Sequence, residues 1–157
     1  MNEQLEPVGV KGEFRVEHFR DGKLLSDTGW IKNTITNVSF AVFSGLAGNT
    51  GSQTAFTYLA LGTSNTAPAA SQTALVAETV VSGLTRASAT VSRVTTTQTN
   101  DTLQLVNTWT AGGSATIEEV GVFNAASVGT MGARGLTTTK SLVTNDQITV
   151  TYKIKFS

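Results

Sequence analysis

The sequence predicts a mainly β fold, an antiparallel β-sandwich or jelly-roll-like domain with one short amphipathic helix at about residues 34–47. The C-terminal segment gives the clearest signal, because apolar residues alternate with Thr and Lys from Ile148 to Phe156. This period of two is typical of a strand with one buried face. The chain also contains 27 threonines, a β-branched type that favours strands over helices.

The chain divides into an N-terminal arm or edge strand at residues 1–11 and a single β-sandwich domain at residues 12–157. Residues 1–11 show no clear hydrophobic period. Such a segment either reaches a neighbouring subunit or is a frayed terminus. The domain that follows is long enough to bury a core without disulfides.

A β-hairpin is predicted at the start of the domain. Residues 12–20 alternate in polarity, and three side chains share the apolar side of this strand: Phe14, Val16 and His18. Asp21 and Gly22 follow directly, and this dipeptide tolerates the positive φ that a tight hairpin turn requires. Residues 24–30 are therefore expected to return antiparallel to the first strand.

Residues 33–48 contain the one good helix candidate. Apolar residues recur at spacings of three and four, in a stripe formed by Ile35, Val38, Val42 and Leu46 and widened by Phe40 and Phe43. Asn33 or Thr34 is expected to cap the start, and Gly45 or Gly48 to end it. A single amphipathic helix beside many strands is expected to plug one end of a sheet or pack on its face.

The remaining elements are predicted to be strands and turns. Further strands are expected at residues 56–61, 87–93, 103–109, 117–123, 131–136 and 148–156. Residues 62–71 are expected to form a loop of small residues. Residues 73–81 fit either a short helix or a strand, and the pattern does not decide between them. Gly121 marks a bulge or a close backbone approach within its strand.

The composition limits the class of protein. The absence of cysteine excludes a disulfide framework, a thiolate metal site and a cysteine nucleophile. Charged residues form only 14% of the chain and sum to zero, without a basic patch for nucleic acid. A surface with so little charge tends to associate, which favours a protein packed against copies of itself or other proteins.

Nothing in the chain predicts a membrane partner. No apolar run approaches the roughly 20 residues that span a bilayer. Residues 1–11 are polar and acidic, so they do not resemble a signal peptide. We therefore expect synthesis in a cytoplasm and no contact with a membrane.

No catalytic constellation is expected. His18 is the single histidine, and its neighbour Glu17 faces the opposite side of the strand, which favours a structural or surface histidine. Glu118 and Glu119 resemble the paired carboxylates of glycoside hydrolases, but adjacent strand residues face apart. A solvated pair, or one bent by a bulge, is the expected arrangement.

A few residues are of types that bind metals or glycans in other proteins. Asp101, Asn145 and Asp146 lie in predicted turns, where such residues stabilise the backbone. A calcium site built from them stays an alternative, although no EF-hand spacing is present. Trp30 and Trp109 could stack on sugars, but core positions are expected for both. We predict no catalytic, cofactor-binding or metal-binding residues and no cofactor.

Two passages resemble a known family. Residues 58–78, with Arg86 shortly after, are similar to a passage in small structural proteins of tailed bacteriophages. Residues 119–134 and the closing residues 146–157 are similar to the end of the same proteins. Looser similarity at residues 18–23 and 32–37 extends the resemblance over most of the chain from about residue 12.

The resemblance also implies roles for individual residues. Glu78 and Arg86 would form an ion pair that ties the Ala-rich loop to the next strand, with two independent solvated charges as the alternative. Four glycines would set turns: Gly62, Gly121, Gly129 and Gly132. Ser64 and Val128 stand where the family commonly has glycine, which reduces loop flexibility at these positions.

The resemblance implies a virion structural protein that is not an enzyme. The favoured expectation is a capsid decoration (cement) protein, bound to the major capsid protein as a homo-oligomer, with a trimer favoured. Its location would be the virion, at the capsid surface, after synthesis in the host bacterial cytoplasm. The alternative is a tail or fibre component that contacts a host receptor or glycan through a cluster of exposed aromatic residues: Trp30, Trp109 or Tyr58.

Overall fold

The computed structural model describes residues 9–156. The described chain is mainly β, with two antiparallel sheets and one short helix, as the sequence predicts. The elements in chain order are β1 (Val10–Arg20), β2 (Lys23–Asp27), β3 (Ile31–Lys32), β4 (Thr34–Ile35), α1 (Ser39–Gly48), β5 (Tyr58–Gly62), β6 (Ala87–Ser88), β7 (Thr90–Val94), β8 (Thr102–Thr110), β9 (Ala115–Phe123), β10 (Met131–Leu142) and β11 (Gln147–Phe156).

The two sheets pack face to face as a β-sandwich. The first has the strand order β2-β1-β11-β8-β7, with β3 also paired to β1, and the second has the order β4-β10-β9-β5-β6. Apolar side chains from both sheets meet in one main core. Its members include Phe14, Val16, Leu59, Leu61, Val120, Val122, Ile148 and Val150. The jelly-roll part of the prediction is not confirmed by this strand order.

The first and last strands form the centre of the first sheet. β1 pairs antiparallel with β11 from Val10 opposite Phe156 to Phe19 opposite Gln147. The predicted alternation is confirmed, because every second side chain of each strand is buried. Phe14 stacks on Tyr152 across this pairing, with ring centroids 5.7 Å apart. The exception is Phe156, predicted to face inward but 44% exposed at the end of the sheet.

The boundary of the predicted arm requires correction. β1 begins at Val10, so Val10 and Lys11 belong to the sheet because they pair with Phe156 and Lys155. Of the rest of the predicted arm, residues 1–8 lie outside the described residues, and Gly9 is described but belongs to no strand. The predicted hairpin turn is confirmed, since Asp21 and Gly22 have φ of 50° and 73° and connect β1 to β2. The returning strand ends at Asp27, short of the predicted residue 30. Two positive φ values in sequence are typical of a type I′ turn.

The helix is shorter than predicted and buries a different face. Thr34 and Ile35 form β4 and pair with β10, so the predicted start was wrong. The buried helical residues are Ser39, Val42 and Gly45, whereas Val38, Phe40 and Leu46 are exposed. Small residues lie inward because the Gly45 backbone packs closely against Gln53 and Thr50. Neither Asn33 nor Thr34 caps the start, because Val38 precedes the helix without a side-chain cap. The helix does end at Gly48, as one of the two predicted positions, and Asn49 follows in the left-handed conformation.

The other strands differ from the predictions in three places. The strand expected at residues 87–93 is divided, because β6 pairs in the second sheet and β7 in the first. The weak strand expected at residues 131–136 is the long β10, which extends to Leu142. The undecided residues 73–81 form neither a helix nor a regular strand, and a single bridge joins Glu78 to Gly62. Residues 63–86 therefore form a long loop across the second sheet. No helix among residues 9–156 has the length and apolar character needed to cross a membrane.

Candidate functional site

The single histidine belongs to a buried polar cluster that the sequence did not predict. His18 Nε2 lies 2.8 Å from Asp146 Oδ2, and both side chains are almost fully buried. The Arg20 guanidinium donates two hydrogen bonds of 2.8 Å to the same carboxylate. Hydrogen bonding from Arg20 holds the pKa of Asp146 well below its usual range. Because β1 and β11 are neighbours, this cluster fixes the turn before β11, which fits the predicted structural histidine.

The predicted carboxylate pair separates as expected, but one member is not solvated. Glu118 lies on the partly exposed face of β9 and accepts a hydrogen bond from Thr139. Glu119 is fully buried and accepts a 2.7 Å hydrogen bond from Arg134 Nε. Its two oxygens also accept the backbone N–H groups of residues 76 and 77. The expectation of a solvated pair was therefore wrong for Glu119, which joins β9, β10 and the long loop.

The turn residues act on the backbone. The Asp101 carboxylate accepts the N–H groups of Thr96, Thr97 and Gln98. Hydrogen bonds from the backbone N–H groups of Gln98, Thr97 and Thr96 hold the pKa of Asp101 well below its usual range. Asn145 has a positive φ of 70° in the turn before β11. Within residues 9–156, no three His, Cys, Asp or Glu side chains converge as a metal site would require.

The predicted Glu78–Arg86 ion pair is present. Arg86 Nε and Nη2 donate to the two carboxylate oxygens of Glu78, at 2.9 and 2.7 Å. The third nitrogen, Nη1, donates to the carbonyls of Ala125 and Val128, and the guanidinium lies 3.4 Å from the Phe123 ring centroid. Arg86 therefore ties the long loop to the β9–β10 connection.

Three of the four glycines do not set turns, although Gly121 confirms the close approach expected within its strand. Gly129 has a φ of 69° and sets a turn. Gly62, Gly121 and Gly132 lie within strands instead, where neighbouring atoms occupy the place of a side chain. At Gly132 an added Cβ would lie 2.8 Å from Phe56 Cε1. These glycines allow neighbouring side chains to pack directly against the strand backbone.

The aromatic residues proposed for glycan contact do not form a cluster. Trp109 is buried, and its indole N–H donates to the carbonyl of Thr85, as expected for a core residue. Trp30 was expected in the core but is 45% exposed, with Lys153 Nζ 4.2 Å from its ring centroid. Tyr58 is half-buried and packs against the second core cluster of the protein. Of these three aromatic residues, Trp30 is therefore the one with a largely exposed ring.

The sequence missed an apolar groove at one end of the sandwich. α1 and the ends of β7, β8 and β11 enclose about 390 Å³, which we call the aromatic groove. Its lining includes Phe43, Leu46, Phe56, Val91, Leu103 and Phe156. The Phe43 ring packs edge-on against Phe56 and Phe156, with centroids 5.3 and 5.5 Å apart. The only sequence signal was the surplus of apolar residues around the helical stripe.

These features together describe a β-sandwich fastened by buried ion pairs, with an apolar groove at one end. Apolar surface at such a groove is stabilised when association removes it from water. No family model, curated protein or solved structure matches the chain.

Proposed function

We propose that this chain is a structural protein of a tailed-bacteriophage particle, most simply a capsid decoration protein bound to the major capsid protein shell. One observation carries the proposal: the passages that resemble phage structural proteins meet in space. Arg134 binds Glu119 within the second passage, and Glu119 also holds the loop of the first through its backbone. The residues of the two resembling passages therefore stabilise the fold. This supports the proposal that the phage structural proteins share the architecture of this chain.

In the proposed mechanism, many copies each form a modest interface with the capsid shell, and the binding energies of these interfaces add up. Copies made in the host bacterial cytoplasm bind the shell, where each clamps neighbouring capsid subunits without performing chemistry. Several apolar side chains are half or more exposed and supply contact area: Leu24, Leu25, Val80 and Val81. In a homotrimer these contacts are presented three times, and the linked sites raise overall affinity well above that of one copy.

Copy number in purified particles tests the capsid location. Quantitative mass spectrometry of this protein against the major capsid protein is expected to give near-stoichiometric amounts. A particle stripped of this protein is also expected to lose its DNA at a lower temperature than the intact particle. Finding only a few copies per particle would contradict the decoration role and favour a position in the tail.

Trp30 supports a second candidate, a tail or fibre component that contacts a host glycan. An exposed indole beside a lysine is a surface on which a sugar ring stacks well. Binding of the purified protein to a glycan array, lost in Trp30→Ala and retained in Phe40→Ala, would support it. Phe40 is a matched control because it is also a half-exposed aromatic residue. A blank array would remove the glycan-binding version.

A further inference from the structure

The edges of the two sheets differ in how well they could pair with a strand of another chain. Within residues 9–156, β2 and β7 lie at the edges of the first sheet, and β4 and β6 lie at those of the second. An edge strand carries backbone N–H and C=O groups without a strand partner, so a regular edge is a template for a further strand. Bulges, short strands and charged side chains that point inward all disturb such a template.

Three of the four edges carry one of these disturbances. β4 and β6 contain two residues each. Beyond β4 the edge is formed by β10, which shifts register against β9 between Leu136 and Lys140. The buried Lys140 side chain points inward and donates a 2.9 Å hydrogen bond to Ser26 of the first sheet. β2 also has a register shift, against β1 between His18 and Phe19. These edges are therefore poorly suited to regular pairing with a further strand.

β7 is the regular edge. Its five residues pair with β8 without a register shift, from Thr90 opposite Val106 to Val94 opposite Thr102. Within residues 9–156, no backbone hydrogen bond outside this pairing joins residues 90–94. Four of the five side chains are exposed, and none is proline. Every second residue of β7 therefore directs its N–H and C=O groups away from the sheet.

The sequence of β7 suits antiparallel pairing with its own copy. If a twofold axis passes at Ser92, this residue lies opposite Ser92 of the second copy, and Val91 lies opposite Arg93 of that copy. Thr90 then lies opposite Val94, which places two β-branched side chains side by side. No two charges stand directly opposite each other. The net charge of the chain is zero, so two copies do not repel each other at long range.

We propose that β7 is a self-association site, at which two copies of this chain join their first sheets edge to edge about a twofold axis at Ser92. Two five-residue strands form a small contact, so the dimer is weak and reversible in solution. This twofold contact is separate from the threefold contact of a trimer. It is also independent of the virion role, because it concerns only how two copies of the chain meet.

Charged side chains at Ser92 test the proposal with the full chain. Ser92→Lys and Ser92→Glu each place two like charges opposite each other at the axis, so each is expected to weaken the dimer at least about tenfold in sedimentation analysis. An equal mixture of the two variants is expected to restore association. Native mass spectrometry should then find mixed dimers in excess of dimers of either variant alone. Because Ser92 is exposed, both variants are expected to fold like the parent, which thermal unfolding checks.

Leu24→Lys is the matched control. It adds one lysine to β2, at the other edge of the same sheet, where Leu24 is 50% exposed. We expect this variant to associate like the parent protein. Three results would overturn the proposal: a parent that stays monomeric up to its solubility limit, an effect of Leu24→Lys as large as that of Ser92→Lys, or a mixture of the two charged variants that does not associate.

Discussion

Arg134 Nε lies 2.7 Å from Glu119 Oε2, and both side chains are fully buried between β10 and β9. Two backbone N–H groups of the long loop donate to the same carboxylate, and Gln72 accepts from Arg134 Nη1. The pair thus supplies hydrogen-bond partners to a loop that has almost no regular structure of its own. Burial of both charges means that neither side chain tolerates the loss of the other.

The variant Glu119→Gln tests this relationship. It leaves Arg134 charged and buried, so the free energy of unfolding is expected to fall by about 3–5 kcal/mol. Urea denaturation measures the loss. Glu118→Gln is the matched control, because that neighbour faces the partly exposed side of β9 and is expected to change stability by less than about 0.5 kcal/mol. Equal stability of the two variants would contradict a supporting role for the buried pair.

The Asp146 cluster predicts how stability depends on pH. Hydrogen bonding from Arg20 lowers the pKa of Asp146 in the folded protein. A carboxyl with a depressed folded pKa stabilises fully above its unfolded pKa of about 3.9, and this stabilisation is lost as the pH falls below that value. Asp146→Asn is therefore expected to lower stability at pH 7 and to flatten its decline below pH about 4.

Urea denaturation at a series of pH values provides the measurement. The control is Asp21→Asn in the hairpin turn, where asparagine also accepts the positive φ. That variant is expected to keep the acid decline of the parent. An acid decline in Asp146→Asn that parallels the parent would show that this carboxylate is not responsible. Asp27 adds to the decline in both proteins, because the Arg15 guanidinium lowers the pKa of Asp27 to about 2.

Arg86 is expected to control the order of the β9–β10 connection. Arg86→Lys keeps the charge but loses the planar fork that binds Glu78 and two carbonyls at once. We expect a loss of about 2 kcal/mol in stability and faster hydrogen exchange at residues 124–130. Arg93→Lys, on the exposed strand β7, serves as control. Unchanged exchange in the Arg86 variant would argue against the tether.

Two glycine-to-alanine changes are expected to have opposite effects. Gly132→Ala places a Cβ 2.8 Å from the Phe56 ring, and such overpacking costs about 1–3 kcal/mol. Gly48→Ala, at the end of α1, meets nothing closer than 3.5 Å and is expected to be neutral or stabilising by up to about 1 kcal/mol. Thermal unfolding of both variants measures the difference. A destabilising Gly48→Ala with a neutral Gly132→Ala would contradict the close packing at Gly132 and the free space at Gly48.

Local sequence pattern was sufficient for most strands and for the first hairpin. In β1 and β11 the period of two determines which side chains face the core, because neighbouring side chains in a strand point to opposite faces. The positive φ values at Asp21 and Gly22 follow from residue type alone. The Glu78–Arg86 pair came from the resemblance, and not from spacing in the sequence.

The helix shows where local pattern was insufficient. Residues 34–35 continue the apolar stripe, yet β10 offers Thr34 and Ile35 a strand partner. The helix then buries Gly45 beside Val42, because Gln53 and Thr50 leave no room for a side chain at Gly45. Packing space is a property of other segments, so helical spacing predicted the buried Val42 but also the exposed Val38 and Leu46.

The sequence by itself determined that this chain is a β protein whose strands have one apolar and one polar face. Alternation of apolar and polar residues, and the residue types of turns, act over only a few positions. Only the tertiary structure decided that Glu119 is buried against Arg134, that His18 meets Asp146, and that an apolar groove forms beside Phe156. Each of these depends on which strands become neighbours. That choice is made by burial and pairing over the whole chain, and no short window of sequence contains it.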